Sequence, residues 1–260
     1  EELRADVALV QEAVPPPDSN AVYRPIDKCN WGSAVVALSP KYTLRPRTRR
    51  SPVSDPSAGE LIECQPGASA VADVIEIASG LPRIVAVSFY GAWEYLPQDP
   101  EKPKKRQNIY SVATSHRVLS DLTPLLVWSR KMPHKIPVLL AGDFNATTQI
   151  ATDNYWDVEI SEAATLFDRM RALGLRDLIA VTRESRPRLP GCSCPSPDIC
   201  CHVRTYRHAN RAEGRPTQLD YVYGSEQVLQ QLSGCTVLDE AAAWALSDHC
   251  PIVIDLRDAD

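Results

Sequence analysis

The sequence predicts an α/β domain whose core is two β-sheets covered by helices, and three observations predict it. Apolar runs of strand length recur along the chain, at Ala34 to Leu38, Ile84 to Phe89 and Val138 to Ala141. Segments with apolar residues at helical spacing lie among them, most clearly from Ser111 to Met132. No Gly-x-Gly-x-x-Gly fingerprint follows a strand, which argues against an open doubly wound sheet built to bind a dinucleotide.

Taken in order, Leu3 to Leu9 reads as a helix end running into a strand over Val7 to Gln11, followed by a Pro-rich loop and the strand Ala34 to Leu38. The Arg/Pro/Ser stretch up to Gly59 reads as loop, because Pro fixes φ and removes a ladder donor. Leu61 to Cys64 is a short strand and Ile84 to Phe89 a strong one. Val112, Leu119, Leu122, Leu125, Leu126 and Trp128 recur close to every 3.6 residues, as the buried stripe of a helix does. Glu162 to Leu173 repeats that pattern and stops at Gly174, where a left-handed cap is easiest to form. Leu219 to Val222 and Pro251 to Leu256 close the chain as strands.

Composition sets limits on function. A chain of 260 residues with 44% hydrophobic content can form one large domain spanning 1–260, burying about three quarters of its unfolded surface. The net charge of −5 argues against a broad nucleic-acid-coating surface, since such affinity comes from phosphate neutralisation by Lys and Arg. A local basic cleft remains open. Lys41 to Arg50 and Lys102 to Arg106 are basic, Pro-interrupted and loop-like, and serve equally well as solvated charge or as phosphate-backbone contacts. No stretch approaches the roughly 20 apolar residues of a membrane-spanning helix, and no signal-peptide pattern is visible. The expectation is a cytoplasmic protein without a membrane partner.

The chemistry sits at strand ends. Val138 to Ala141 runs into Gly142-Asp143-Phe144-Asn145, so Asp143 and Asn145, two apart, face one side just where the strand leaves the sheet. Asp220 lies on the strand Leu219 to Val222, and Asp248 stands beside His249 before the run Pro251 to Leu256. Carboxylates at strand ends suit a hard divalent cation, Mg²⁺ or Mn²⁺, which keeps waters and takes substrate phosphate as further ligands. Phosphodiester cleavage also needs a group to activate water and a group to neutralise phosphoryl charge. Asp143 suits the first task and His249 the second, if a carboxylate such as Asp220 holds the imidazole charged.

These residues, in this order, resemble the endonuclease/exonuclease/phosphatase superfamily of DNase I-like nucleases, abasic-site endonucleases and inositol polyphosphate phosphatases. The resemblance rests on Gln11-Glu12, Gly142 to Asn145, Asp220-Tyr221 and Ser247-Asp248-His249, and covers nearly the whole chain. It implies a four-layer sandwich of two packed mixed β-sheets flanked by helices. It implies that Glu12 and Asp248 bind Mg²⁺, that Asp143 and Asn145 position the nucleophile, and that His249 with Asp220 stabilises the transition state. Ser88-Phe89-Tyr90-Gly91 looks like the family's central strand and its exit loop. Family members open with a strand ending in Asn, so the resemblance also implies that such a strand belongs ahead of Glu1. Tyr90, Tyr110, His116 and Arg117 are candidates for phosphate contact, against the plainer alternatives of packing for the tyrosines and an exposed helix face for His116 and Arg117. Trp93 and Trp128 read as core or as a base-stacking platform.

The second unusual feature is a Cys/His-rich, loop-like insert over 190–208. It carries Cys192, Cys194, Cys200, Cys201, His202 and His208, the residue types that build a tetrahedral structural Zn²⁺ site. Disulfides between the same cysteines are the alternative, favoured if the protein is exported. The insert lies just before the Asp220 strand and would border the site. The remaining Cys29, Cys64, Cys235 and Cys250 are widely spaced and read as buried apolar residues.

The sequence thus points to a Mg²⁺-dependent nuclease acting on DNA or RNA. A phosphatase of a small phosphorylated ligand, such as an inositol phosphate or lipid head group, is the alternative within the same chemistry. A binding module that has lost catalysis would show substitutions in the acid, amide and imidazole set, and none is missing.

Overall fold

Strands buried on both faces read as near-continuous apolar runs, and the middle of this chain is built from them. The computed structural model describes residues 4–27, 29–47, 49–50, 60–92, 111–131, 136–148, 157–185, 187–190, 192, 200–207 and 217–257. In chain order the strands are β1 (Val7–Ala13), β2 (Ala21–Pro25), β3 (Gly32–Ala37), β4 (Tyr42–Pro46), β5 (Arg49–Arg50), β6 (Leu61–Ile62), β7 (Ser69–Glu76), β8 (Pro82–Tyr90), β9 (Val138–Asp143), β10 (Arg176–Asp177), β11 (Asp220–Gly224), β12 (Leu232–Val237) and β13 (Ile252–Leu256). The helices are α1 (Ser111–Lys131), α2 (Asp157–Ala172), α3 (Leu178–Val181), α4 (Glu226–Gln231) and α5 (Ala241–Trp244).

A six-stranded sheet, in the order β10-β11-β9-β8-β7-β4, forms the centre, with β8 and β9 parallel and every other neighbouring pair antiparallel. The period-two alternation of strands divides its side chains cleanly. Val71, Val85, Val87, Phe89, Val138, Leu140, Tyr221 and Tyr223 face the helices, where Leu119, Leu122, Leu125, Leu126, Leu166 and Met170 of α1 and α2 pack on them. Ala70, Ala72, Val74 and Ala86 face the other way and pack on Val22 and Val35 of the antiparallel sheet β1-β3-β2. Val222, with Leu139 and Ala141, packs on Cys235, Ile252 and Ile254 of the β12-β13 pair. The chain is therefore an α/β structure of several packed sheets flanked by helices, and the layer opposite α1 and α2 contains two antiparallel pieces. Gly174 ends α2 with φ 82°, as its position in the sequence predicts.

Some local expectations change. Ala8 and Leu9 belong to β1, not to a helix end: the run Val7 to Val10 pairs with Ala34 to Ala37, and that ladder overrides a helical start. The Arg/Pro/Ser stretch contains β4, an edge strand with Pro46 at its end, where a missing donor costs least. The basic run in this stretch is partly neutralised. Arg45 and Arg47 both bind the buried carboxylate of Asp73, at 2.8 and 2.5 Å, and Arg47 lies over the Trp128 ring at 4.9 Å from its centroid. Trp128 itself is partly buried against the core, which favours its packing role. Lys102 to Arg106 and Trp93 lie outside the described residues. Among the described residues no helix is long and apolar enough to cross a membrane.

Candidate active site

Three neighbouring strands end in polar residues that share one face of the central sheet. Tyr90 of β8 is the register partner of Asp143 on β9, and Asp143 is the partner of Asp220 on β11. All three are buried, with Asp143 7% and Asp220 8% exposed. Gly142 makes the approach possible. Its φ is 147°, and a Cβ there would lie 2.0 Å from the Phe89 carbonyl oxygen on the neighbouring strand. Phe144 then turns into the core and stacks on Phe89 at 4.2 Å, so the chain leaves the sheet at a fixed point. Asn145 follows with φ 45°. Its backbone N–H donates to Asp143 Oδ1 at 2.8 Å, and its side-chain amide donates to Asp143 Oδ2 and to the Gly91 carbonyl, both at 2.9 Å.

His249 completes the centre. Its Nδ1 lies 2.8 Å from Asp220 Oδ2, and ligand atoms of Asp143, Asp220 and His249 all fall within 4.8 Å of one another. Burial works against a charged imidazole, but the hydrogen bond and charge of Asp220, reinforced by Asp143 and Asp248, outweigh it and bring His249 up to about 9. Asp143 moves well above the usual carboxylate range. Burial is the main cause, with the charges of Asp220 and Glu12 adding to it; the His249 cation and the Asn145 N–H oppose the shift.

Glu12 enters from β1 on the facing sheet. It has φ 51°, inside the irregular pairing between Val10 and Ala13, and with Asn145 it is one of two non-glycine residues at positive φ among those described. Such backbone strain persists where surrounding contacts hold it and is concentrated at functional sites. The contacts here are specific. Tyr90 donates its hydroxyl hydrogen to Glu12 Oε1, Gln11 Nε2 donates to Ser88 Oγ at 2.8 Å, and Ser88 donates to the Val10 carbonyl at 2.9 Å. Asp248 is exposed beside His249, its carbonyl accepting the Arg207 N–H at 2.8 Å.

The donor set fits a hard divalent cation. Two carboxylates paired directly across a ladder repel each other, two more act on the same neighbourhood, and a cation would offset that repulsion. Glu12 and Asp248 stand outside the tight Asp143–Asp220–His249 cluster, where exposed carboxylates can reach both a cation and its waters.

Tyr206 was not distinguished as a site residue by sequence. Its ring lies 4.9 Å from that of His249, the two residues form a backbone bridge, and its hydroxyl is pushed up by burial and then by Asp248, Asp143 and Glu12. Thr205, fully buried, accepts the N–H groups of Leu219 and Asp220 at 3.0 Å each and so sets the start of β11. These contacts are long-range, and nothing in the local sequence announces them.

Other candidates fall elsewhere. Both His116 ring nitrogens meet α2, Nδ1 at 2.7 Å from Arg169 Nη1 and Nε2 at 3.2 Å from the Glu162 carbonyl. His116 is half-buried at a helix–helix contact rather than on an exposed helix face. Arg117 is exposed and acts on Cys64 beside α1. Tyr90 touches Glu12 and meets the edge of Trp31, with ring centroids 5.5 Å apart, so its contact is with the carboxylate. Tyr110, Cys194 and His208 lie outside the described residues. Cys192, Cys200 and His202 converge, whereas Cys201 and His202 border a cavity of about 440 Å³ that also includes Tyr221, Tyr223 and Arg171. This cavity lies on the helix side of the sheet, away from the acidic cluster.

No family model and no curated protein matches the chain. Its structure is similar to several solved ones. The Xenopus laevis APE2 catalytic domain aligns with a TM-score of 0.61 at 13% identity, over 99% of this chain and 86% of that one. An AP endonuclease from Archaeoglobus fulgidus gives 0.58 at 12%, over 96% and 88%. A 3'-5' exonuclease from Neisseria meningitidis gives 0.53 at 15%, over 97% and 80%. With its packed sheets and flanking helices, the chain has the DNase I-like fold that these structures share.

Proposed function

We propose that the chain is a divalent-metal-dependent phosphodiesterase that cleaves nucleic acid by attack of water on phosphorus. The observation that carries this reading is the Asp143–Asp220 register pair with His249 bonded to Asp220 and close to Asp143. Asp143, its proton affinity raised by burial and like charge, is the base that accepts a proton from the attacking water. Asn145 fixes both oxygens of that carboxylate through its backbone and side-chain N–H groups. Asp220 holds Nδ1 of His249, which leaves the other ring N–H of the imidazolium to neutralise a phosphoryl oxygen as charge builds there. Glu12, steadied by Tyr90, and Asp248 would hold the cation. Bound there, Mg²⁺ or Mn²⁺ supplies Lewis-acid charge to the phosphate.

Two features support a nucleic-acid substrate. Trp31 and Tyr206 bring aromatic rings against Tyr90 and His249, where an unstacked base could lie. The similar structures are described as an AP endonuclease, an exonuclease and a 3' phosphatase bound to a product DNA hairpin. The test is hydrolysis in Mg²⁺ of duplex DNA, abasic duplex, single-stranded DNA, RNA and a panel of inositol phosphates, with Asp143→Ala as the blank. Cleavage of a nucleic acid that disappears in the blank is expected. Phosphate release from the small ligands alone would replace the nuclease with a phosphatase.

A further inference from the structure

We infer that Cys192, Cys200 and His202 form a structural Zn²⁺ site that ties the two ends of the insert together beside Thr148, just beyond the exit of β9. The three are brought together from a span of chain ten residues apart at its ends, with their ligand atoms all within 4.8 Å of one another. Cys192 Sγ and Cys200 Sγ are 3.4 Å apart, and each lies 3.5 Å from His202 Nδ1. Tetrahedral zinc with Zn–S of about 2.3 Å and Zn–N of about 2.0 Å sets its ligand sulfurs about 3.8 Å apart and sulfur to nitrogen about 3.5 Å. The observed triangle already has nearly those dimensions. Two soft thiolates and an imidazole select zinc over the hard cation that suits the acidic cluster.

The far side of the imidazole supports the assignment. His202 Nε2 lies 3.4 Å from Thr148 Oγ1, so the ring can place its N–H on that hydroxyl and keep Nδ1 unprotonated toward the sulfurs. A metal-bound histidine characteristically has such a partner on its other nitrogen. The ends of the site are tied down as well: Arg183 Nε donates to the Cys200 carbonyl at 2.9 Å and Arg188 Nη2 to the Cys192 carbonyl at 3.3 Å. A disulfide between Cys192 and Cys200 would leave the histidine nitrogen, equidistant from both sulfurs, without a purpose. A fourth ligand or a water completes the tetrahedron.

The location gives the site a consequence. Thr148 follows Asn145 by three residues, and His202 precedes Thr205 and Tyr206 by three and four. Zinc at this point therefore couples the exit of β9 to the segment that supports Asp220 and packs against His249.

The test uses the full chain purified under reducing conditions. Elemental analysis should find about one zinc per chain. Co²⁺ exchange should give the absorption of a tetrahedral thiolate complex. Alkylation of the wild-type protein should release zinc in step with modification of Cys192 and Cys200, as mapped by mass spectrometry, a readout that does not depend on variant folding. Cys200→Ser and His202→Ala should lose the metal, while Asp143→Ala and Cys235→Ser should keep it. A protein that remains zinc-free in the presence of added Zn²⁺, a Cys192–Cys200 disulfide in the reduced preparation, or undiminished zinc in Cys200→Ser would each overturn the inference.

Discussion

Asp143 and Asp220 are direct partners across the β9–β11 ladder, and the two carboxylates share His249 as their common cation. A sheet tolerates such a pair poorly on its own. The arrangement persists because Asn145 and His249 each satisfy one carboxylate, and it links the proton affinities of Asp143 and His249.

Activity should therefore be bell-shaped in pH. Its acid limb reports loss of the proton from Asp143, placed well above an ordinary carboxylate, and its alkaline limb reports discharge of His249 near 9. Asp220→Asn removes the main support of the imidazolium and should move the alkaline limb down toward 6.5. An unchanged alkaline limb in that variant would assign it to another group.

The same shift affects stability. The folded-state value for His249 lies above the 6.5 of a free imidazole, so its contribution is complete below about 6.5 and is lost as pH rises through about 9. Unfolding midpoints of the wild type should fall across that window more steeply than those of His249→Gln, measured by denaturant titration.

Tyr90→Phe removes the hydroxyl that holds Glu12 and leaves the ring in its contact with Trp31. The Mg²⁺ concentration for half-maximal rate should rise by about 10-fold or more, with little change in melting temperature. An unaltered Mg²⁺ dependence would detach Glu12 from the metal.

Much of this site was legible in the sequence because its parts are local. Gly-Asp-x-Asn after an apolar run places Asp143 and Asn145 at a strand exit, and Asp248 with His249 precedes β13 just as the next apolar run suggests. Strands rich in Val and Leu, such as β8 and β9, were equally plain. β7 was missed because its Ser, Ala and Asp residues have low strand propensity, and the small side chains that obscure it are what allow close approach to β3. β4 was hidden by Arg and Pro, and the pairing of Arg45 and Arg47 with Asp73 spans nearly thirty residues. Tyr206 and Thr205 act only through chain folding, so no periodicity marks them.

Gly142→Ala tests the geometry that brings the strand end so close. The new methyl would meet the Phe89 carbonyl at 2.0 Å in a backbone region that L side chains rarely adopt. A loss of at least about 2 kcal/mol in unfolding free energy is expected. A variant as stable as the wild type would mean that β8 and β9 are not apposed in this register.

The most direct measurement of the central claim compares turnover of a DNA duplex by wild type and His249→Ala, with Mg²⁺ withheld and then added back. The account predicts no cleavage without Mg²⁺, full recovery on its return, and a rate about 10²–10³-fold lower in a normally folded His249→Ala. Turnover that ignores Mg²⁺, or a His249→Ala enzyme close to wild type, would contradict it.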